Sequence, residues 1–257
     1  MRGPLAGVRI AVTREEKDGG RLGATLAARG ARVLLCPVVR TVRLADPPGA
    51  AAAARGWGRF DWTVFASARA VEELLAFCVR RGLDPGRAGR VAAVGPGTAA
   101  AVRSRLGLRV SVTPARHEAA ALPAALGRLR GLRVLLPRAR GGRDVLPRAL
   151  RRGGASVTVL ALYRTVPDRA GLSRLGRLLA RGAVDAVAFT SGSAVAAAAG
   201  ALKAPLRRVP AASIGPVTSK ALRAHGIRPA AEGAPSTFAG LARAIVRYHR
   251  GKAHART

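Results

Sequence analysis

Cysteine and the usual metal-binding side chains are scarce in this chain of 257 residues. Its two cysteines, Cys36 and Cys78, lie far apart and outside any Cys-x-x-Cys pattern, and its four histidines are scattered. A disulfide framework needs several paired cysteines, and zinc sites place their ligands at close and regular spacing. The sequence therefore predicts neither a disulfide scaffold nor a zinc site, and it favours a reducing compartment.

The chain also lacks the long apolar stretches of membrane proteins. No segment approaches the roughly 20 apolar residues that a helix needs to span a bilayer. The first residues do not contain the apolar segment of a secretory signal. We therefore expect a cytoplasmic protein with no membrane partner.

Acidic residues are few, and the excess of positive charge is large. The chain has 13 acidic and 45 basic residues, which gives a formal net charge of +32 at pH 7. Almost all of the basic residues are arginine, as expected from a biased base composition that leaves many of them solvated. A positive field of this size attracts anions and raises their association rates, without indicating which anion.

The familiar catalytic groupings are missing from the sequence. It contains no recognisable Ser-His-Asp set, no close pair of histidines and no obvious carboxylate dyad. The four histidines are isolated and are interpreted as surface or helix residues: His117, His225, His249 and His254. A chain of this composition can still accelerate a reaction by holding an unstable substrate in one geometry, which is worth roughly 7–11 kcal/mol.

Residues 131–166 have the pattern of a strand, a loop, a helix and a second strand. Residues 132–136 form a short apolar run that predicts a buried strand, and Pro137 is expected to end it because proline has no N–H for a ladder. A basic loop, a helix with Leu146 and Leu150 on one face, and a strand at 157–163 follow. Alternation of this kind is typical of a parallel α/β sheet.

The same pattern occurs near the start of the chain, so we predict an internal repeat with about five strands in each domain. The repeated segments are 7–14 and 131–138, the Gly-Gly-Arg motifs at 19–21 and 141–143, the Arg-Thr-Val motifs at 40–42 and 164–166, residues 61–71 and 185–195, and residues 92–98 and 212–218.

Hydroxyl side chains mark several predicted helix starts, because they accept hydrogen bonds from the free N–H groups of the first turn. Thr98 is expected to cap the helix after the 95–97 turn, and Thr218 is expected to cap its equivalent in the second copy. Ser236 is expected to cap a last helix at 238–248. A further helix is expected over 117–129.

In their order and spacing, these motifs resemble the uroporphyrinogen-III synthases of tetrapyrrole biosynthesis, over about residues 8–246. The segments that carry the resemblance are Thr-Arg at 13–14, Ala-Val-Gly-Pro-Gly-Thr-Ala at 93–99, Leu-Pro-Arg at 136–138, Gly-Arg-Asp-Val-Leu at 142–146, Leu-Tyr-Arg-Thr-Val at 162–166, Phe-Thr-Ser-Gly-Ser-Ala-Val at 189–195 and Ile-Gly-Pro-Val-Thr at 214–218.

The resemblance implies two parallel-sheet α/β domains of flavodoxin-like type, related by a pseudo-twofold axis and joined by a two-stranded linker. One domain is expected to be discontinuous, with residues 1–37 and 166–257. The middle domain is expected at 44–159, with antiparallel linker strands at 38–43 and 160–165. A simple division near residue 125 is the competing architecture.

The resemblance also implies an activity. Members of the family are cyclising lyases that convert hydroxymethylbilane to uroporphyrinogen III, with loss of water and inversion of the last pyrrole ring through a spiro intermediate. No cofactor and no metal are implied. We expect a monomer that receives its linear tetrapyrrole from hydroxymethylbilane synthase.

Ligands of open parallel sheets bind outside the carboxyl ends of the strands, and the polar residues singled out in this sequence are predicted to lie there. Tyr163 is the predicted catalytic residue, mainly through the family resemblance, because its phenol can assist departure of the substrate hydroxyl. The predicted substrate-binding residues are Arg14, Ser67, Gly95, Gly97, Thr98, Arg138, Gly142, Arg143, Thr190, Ser191, Ser193, Gly215 and Thr218.

Each of these assignments has a purely structural alternative. Tyr163 can pack at the linker, Ser191 and Thr218 can cap helices, and Arg14 and Arg143 can be solvated. Two other functions also remain open. A basic α/β protein can bind nucleic acid, although the spread of arginines, the few aromatic residues and the lack of a recognised motif argue against specific binding. It can also bind a small anion without catalysis.

Overall fold

The computed structural model describes residues 3–15, 21–116 and 119–254, and it divides the chain into two compact units. The first unit, here called the discontinuous unit, contains the residues up to Arg40 and those from Val166 onward. The second, the middle unit, is Thr41–Thr165. The predicted equivalence of Gly19 and Gly20 with the later Gly-Gly pair lies outside the described residues, as does His117.

Strands and helices alternate along the described chain. The first half contains β1 (Arg9–Val12), α1 (Arg21–Ala27), β2 (Arg32–Leu35), β3 (Val39–Arg43), α2 (Ala50–Arg55), β4 (Trp62–Phe65), α3 (Ala68–Arg81), β5 (Arg90–Ala93), α4 (Pro96–Leu106), β6 (Val110–Val112) and α5 (Leu122–Leu126). The second half contains β7 (Arg133–Ala139), α6 (Val145–Arg152), β8 (Ser156–Pro167), α7 (Arg169–Ala180), β9 (Ala186–Phe189), α8 (Gly192–Arg207), β10 (Ala211–Ser213), α9 (Pro216–Ala224), β11 (Pro229–Glu232) and α10 (Phe238–His254).

The discontinuous unit is built on a five-stranded parallel sheet in the order β2-β1-β9-β10-β11. The middle unit contains β8-β7-β4-β5-β6 as parallel neighbours, with β3 added at the edge beside β8. When the repeated segments are matched, both sheets have the spatial order 2-1-3-4-5, which is the flavodoxin-like order. The predicted parallel α/β class is therefore confirmed.

Apolar side chains cover both faces of each sheet. In the discontinuous unit, one cluster includes Leu175, Val195 and Leu222, and a second on other helices includes Leu26 and Leu241. The middle unit likewise has two clusters, and Leu, Val, Ala and Phe dominate throughout. Each unit is thus a sheet between helical layers, the arrangement that buries parallel strands.

Within the described residues, no helix has the length and apolar character needed to cross a membrane.

An antiparallel pairing of β3 with β8 follows from two backbone hydrogen bonds. The Leu44 N–H donates to the Leu162 carbonyl at 2.9 Å, and the Asp168 N–H donates to the Val38 carbonyl at 2.9 Å. One partner's number rises as the other falls by the same amount, which is the signature of antiparallel strands. This pairing adds the sixth strand to a sheet for which five were expected.

Two sequence predictions about element ends are wrong. Pro137 does not end β7, because the strand stays paired with β8 to Ala139, with a shift of register between Arg138 and Ala139. β7 pairs with β4 only at Val134 and Leu135, so at Pro137 the strand has a single neighbour and the missing N–H is tolerated. Instead of one helix over 117–129, the described part of this segment contains a short 3₁₀ turn followed by α5.

An aspartate before a central strand secures each sheet. Asp185 accepts hydrogen bonds from the backbone N–H of Arg9 at 2.8 Å and from the Arg9 guanidinium at 3.0 and 2.7 Å. In the other copy, Asp61 accepts from the backbone N–H of Arg133 at 2.7 Å. These equivalent contacts join the two repeated segments that meet in each sheet.

Replacing Asp185 by Asn is expected to reduce the acid sensitivity of the fold. Hydrogen bonding from Arg9 holds the pKa of Asp185 below its ordinary value of 3.8. The pair therefore contributes stability above that unfolded-state pKa and loses it as the pH falls through the lower folded-state pKa. Asp185→Asn should lower the free energy of unfolding at pH 7 and give a shallower decline below about pH 4, measured by urea denaturation at several pH values.

Asp46→Asn is the matched control, because Asp46 is exposed. The free energy of unfolding of Asp46→Asn should change with pH in the same way as that of the parent protein. Equal slopes for the parent and Asp185→Asn between neutral and acid pH would contradict the assignment.

Candidate active site

Tyr163 and Ser67 meet at the carboxyl end of the middle sheet. Tyr163 lies on β8, is only 7% exposed and packs in the cluster that contains Phe65 and Leu162. Its hydroxyl lies 3.3 Å from Ser67 Oγ. Ser67 is the N-cap of α3, where its side chain also accepts from the Ala70 N–H at 3.2 Å. The phenol is therefore held at the start of a helix.

Burial raises the pKa of Tyr163 above its ordinary value of 10.0. The hydrogen bond to Ser67 and the positive charges of Arg69 and Arg138 act in the opposite direction, whereas the negative charge of Glu73 adds to the rise. The phenol is thus protonated at neutral pH. A buried hydroxyl with nearby cations is suited to donate a proton or hydrogen bond and to tolerate the charge left behind.

Arg138, near the end of β7, stabilises the basic loop that follows this strand. Its side chain is only 13% exposed, with Nη1 3.0 Å from Asp144 Oδ1 and Nη2 donating to the Arg143 carbonyl at 3.0 Å. A Cβ placed on Gly142 would come within 2.7 Å of Arg138 Nη2, so glycine permits this close packing. Arg143 is exposed. Of the three arginines predicted to bind substrate, Arg138 and Arg143 belong to this loop: Arg138 shapes it through its hydrogen bonds, and Arg143 is exposed to solvent.

The 95–98 segment begins α4 earlier than predicted. Gly95 is the N-cap, in an extended conformation and with no side-chain cap, and Pro96 is the first helical residue. Thr98 therefore lies inside the first turn, and the prediction that it caps the helix is wrong. Proline at the first helical position fits because its missing N–H is not needed there. Gly97 is exposed with open space above its Cα, so the first turn is accessible.

Thr13 and Arg14 follow β1 in the discontinuous unit. Thr13 is fully buried, and its Oγ1 donates to the Ala188 carbonyl at 2.8 Å. This bond fixes the end of β1 to β9. The Arg14 guanidinium lies over the Phe238 ring at the start of α10, 4.6 Å from its centroid. Arg14 is therefore held by a cation–π contact at this edge, and its predicted contact with substrate remains a prediction.

Three hydroxyl residues follow β9 in the same unit. Ser191 is the N-cap of α8 and accepts from the Ala194 N–H at 3.2 Å. The Ser191 and Ser193 hydroxyl oxygens lie 3.1 Å apart, with Ser193 exposed and Thr190 half-buried. Capping and ligand binding are compatible at such a site, because an exposed first turn retains further N–H donors.

Gly215 and Thr218 lie at the start of α9. Gly215 is a buried N-cap without a side-chain cap, and a Cβ there would overlap Ser236 Oγ. Thr218 is buried within the first turn, so its predicted capping role is wrong for the same reason as that of Thr98. Ser236 does not begin α10 either: the Gly240 N–H donates to Thr237 Oγ1 at 3.0 Å, and Ser236 fills the space above Gly215.

The structure thus brings predicted residues together in each unit separately. In the middle unit, Tyr163 contacts Ser67, and the charge of Arg138 is close enough to lower the phenol's pKa. Sequence reasoning missed Arg69 and Glu73 on α3. The sequence could have identified Glu73 as a buried charge, because it lies on the apolar helix face formed by Ala70, Leu74 and Phe77.

The two cysteine thiols lie in the apolar interior of the described residues. Both thiols are buried. Burial raises the pKa of Cys36, and burial together with the charge of Asp84 raises that of Cys78 to about 12. Both thiols are therefore protonated and poorly nucleophilic at neutral pH. In the part of the chain that the structure describes, no three Cys, His, Asp or Glu side chains gather as a metal site would require.

Comparison with known proteins identifies one family. The family model described as uroporphyrinogen-III synthase HemD matches residues 20–243. A putative uroporphyrinogen-III synthase from Methanothermobacter thermautotrophicus is 35% identical over 229 residues, which cover 85% of this chain and 90% of that protein. The porphyrin biosynthesis protein HemD of Ruminiclostridium josui is 25% identical over 235 residues, 89% of this chain and 46% of that protein.

Solved structures give the same result for the fold. A mutant uroporphyrinogen III synthase from the extremely thermophilic bacterium Thermus thermophilus matches with a TM-score of 0.69 at 26% identity, covering 95% of this chain and 100% of that one. Uroporphyrinogen-III synthetase from Helicobacter pylori has a TM-score of 0.62 at 17% identity, with 93% and 99% covered. At that lower identity the likeness concerns the fold alone.

Substitution of Arg138 is expected to lower the stability of the protein more than substitution of Arg143. Arg138→Met removes hydrogen bonds from a mostly buried guanidinium, each worth about 1.5–3 kcal/mol because the donor is charged. It should lower the free energy of unfolding in urea by roughly this amount. Arg143→Met is the matched control at an exposed position and should leave stability within about 0.5 kcal/mol of the parent. Equal losses in the two variants would show that Arg138 has no special part in the loop.

Proposed function

This chain belongs to the uroporphyrinogen-III synthase family, and from that premise we propose that Tyr163 donates the proton that starts ring closure of hydroxymethylbilane. The enzyme is a cyclising lyase that forms uroporphyrinogen III and releases water. The observation that carries the role of Tyr163 is its buried phenol, fixed 3.3 Å from Ser67 Oγ at the carboxyl end of the middle sheet.

Carboxylate binding is the first step. The substrate carries acetate and propionate side chains, and the chain's net charge of +32 attracts it. The helix start without a side-chain cap at Gly95, next to the exposed Gly97, offers backbone N–H donors and the positive end of the helix dipole. Arg143 adds an exposed guanidinium that can bind a carboxylate through two parallel hydrogen bonds.

Loss of the substrate hydroxyl is the chemical step assigned to Tyr163. The C–O bond of the hydroxymethyl group breaks, the phenol proton passes to the departing oxygen, and the product is water. The electron-rich pyrrole supports the positive charge left on carbon. The resulting phenolate is stabilised by the hydrogen bond from Ser67 and the charges of Arg69 and Arg138.

Inversion of the last ring is controlled by the geometry in which the protein holds the substrate. The family's reaction passes through a spiro intermediate, and a linear tetrapyrrole that reacts without guidance closes to the symmetric isomer. Several carboxylates held at once restrict which carbon of the last ring reaches the cationic centre. Restriction of this kind lowers the barrier because the reacting groups have already lost their freedom of motion. The proton that the last ring releases when it regains aromaticity returns to the phenolate of Tyr163, which restores the acid.

The cellular setting is a further part of the proposal. Two free and buried thiols support a reducing compartment, and we assign the enzyme to the cytoplasm as a monomer. Hydroxymethylbilane is unstable, so direct transfer from hydroxymethylbilane synthase suits its chemistry. Size-exclusion chromatography with light scattering tests the oligomeric state.

Tyr163→Phe is expected to lower kcat by about 10²-fold or more, because a general acid typically contributes about 10²–10⁴-fold. KM should change little, since the carboxylate contacts remain. The measurement is a coupled assay from porphobilinogen that separates isomer III from isomer I by chromatography. Tyr248→Phe is the matched control, as Tyr248 is the chain's other tyrosine and lies in the discontinuous unit.

Two outcomes would contradict this function at different levels. Unchanged turnover in Tyr163→Phe would remove the chemistry assigned to the phenol. Formation of isomer I alone by the parent protein would instead favour a module that binds anions without catalysis.

A further inference from the structure

Arg43 lies directly opposite Tyr163 across the β3–β8 pairing. The hydrogen bonds at Leu44–Leu162 and Val38–Asp168 define one register, and in that register residue 43 faces residue 163. Both residues belong to the middle unit. The even-numbered residues of β3 form the hydrogen-bonded pairs, so Arg43 and Tyr163 form a non-hydrogen-bonded pair, the kind in which facing side chains approach most closely.

Arg43 is also joined to α3. Its Nε lies 2.6 Å from Glu73 Oε2. The Glu73 carboxylate is almost completely buried, whereas the Arg43 side chain is half exposed. A buried carboxylate is costly without a partner, so this ion pair strongly favours one placement of the helix against the strand.

Helix α3 therefore contacts this pair of facing residues at two points. Ser67, at its N-cap, bonds the Tyr163 hydroxyl, and Glu73, six residues later and about 9 Å along the axis, bonds Arg43. A single contact leaves a helix free to slide or rotate, whereas two contacts to neighbouring side chains fix both motions. We propose that Arg43 and Glu73 form a positioning pair that holds Ser67 against the Tyr163 hydroxyl. The inference rests on the proposed role of Tyr163.

The charged groups around the phenol give the pair a second, measurable effect. Glu73 and Arg69 face it from α3, Arg138 from β7 and Arg43 from β3. The negative charge of Glu73 raises the phenol's pKa, and Arg43 is the cation that neutralises this carboxylate. Removing Arg43 should therefore raise the pKa of Tyr163 further, and removing the charge of Glu73 should lower it.

Kinetics of three variants test the positioning role. Arg43→Gln leaves a buried carboxylate without its cation and should lower kcat by roughly tenfold, a part of the general-acid effect, with KM within about twofold. Arg43→Lys should restore most of kcat because it restores the charge. Glu73→Gln keeps the shape and should cause a smaller loss than Arg43→Gln.

Asp185→Asn is the matched control, because it breaks an ion pair of similar length in the other unit. Activities are compared per folded molecule, with the folded fraction taken from denaturation curves. If Arg43→Gln and Asp185→Asn both retain the parent's kcat per folded molecule, the pair is merely structural and the proposal is overturned.

Titration of the phenol gives a readout that does not depend on turnover. In a Tyr248→Phe background Tyr163 is the one remaining tyrosine, so the ultraviolet absorbance of the phenolate reports its ionisation alone. Circular dichroism at each pH defines the range in which the protein stays folded. Within it, Arg43→Gln should shift the titration upward and Glu73→Gln downward; identical curves would overturn the proposal.

The kinetic and titration experiments together distinguish failure of the positioning pair from failure of the proton-donor role of Tyr163. Full turnover in Tyr163→Phe, together with opposite titration shifts in the two variants, would reject the proton-donor role and support the positioning pair. A large loss in Tyr163→Phe, with unchanged titration and kcat in Arg43→Gln, would support the donor role and reject the pair.

Discussion

The antiparallel pairing of β3 with β8 is the constraint on which the candidate site depends. It brings Leu44 beside Leu162 and thereby fixes the residues that face each other along the rest of the pair. The parallel pairing of β8 with β7 places Tyr163 at the carboxyl end of the middle sheet, where Ser67 of α3 contacts its hydroxyl, and the β3 pairing places Arg43 opposite it. A shift of one residue in this pairing would reverse the face on which every side chain of β3 lies and would remove Arg43 from its place opposite Tyr163.

The sequence predicted the strands and their parallel sheets well, because buried strands and their glycine-marked turns depend on local patterns. The repeat of 61–71 at 185–195 even indicated that Asp61 and Asp185 occupy equivalent positions, and both secure strands. Helix starts were predicted less well. Thr98 and Thr218 looked like caps by residue type, but a proline two residues earlier starts each helix sooner, with a glycine as the cap.

Long-range contacts explain what sequence patterns missed at the site. Arg138, which was predicted to bind substrate, also donates hydrogen bonds to Asp144 and to the Arg143 carbonyl, and its residue type alone does not indicate these partners. The closeness of Glu73 to Arg43 depends on a strand thirty residues earlier along the chain. The helix pattern marks Glu73 as a charge on an apolar face, but no pattern within a single helix or strand identifies Arg43 as its partner.

Several of the few acidic residues are held in hydrogen bonds or ion pairs within the fold, so they do little to balance the exposed arginines. Asp61 and Asp185 secure strands, Asp144 orders the basic loop, Asp168 caps α7 through the Ala170 and Gly171 N–H groups, and Glu73 pairs with Arg43. With 13 acids against 45 bases, carboxylates committed in this way leave most of the positive charge uncompensated. Solvent and counterions balance most of this charge, and the proposed substrate is one anion that it attracts. Because screening by salt weakens exposed charges more than buried pairs, we expect salt to weaken binding of the proposed substrate more than it disturbs the placement of Tyr163.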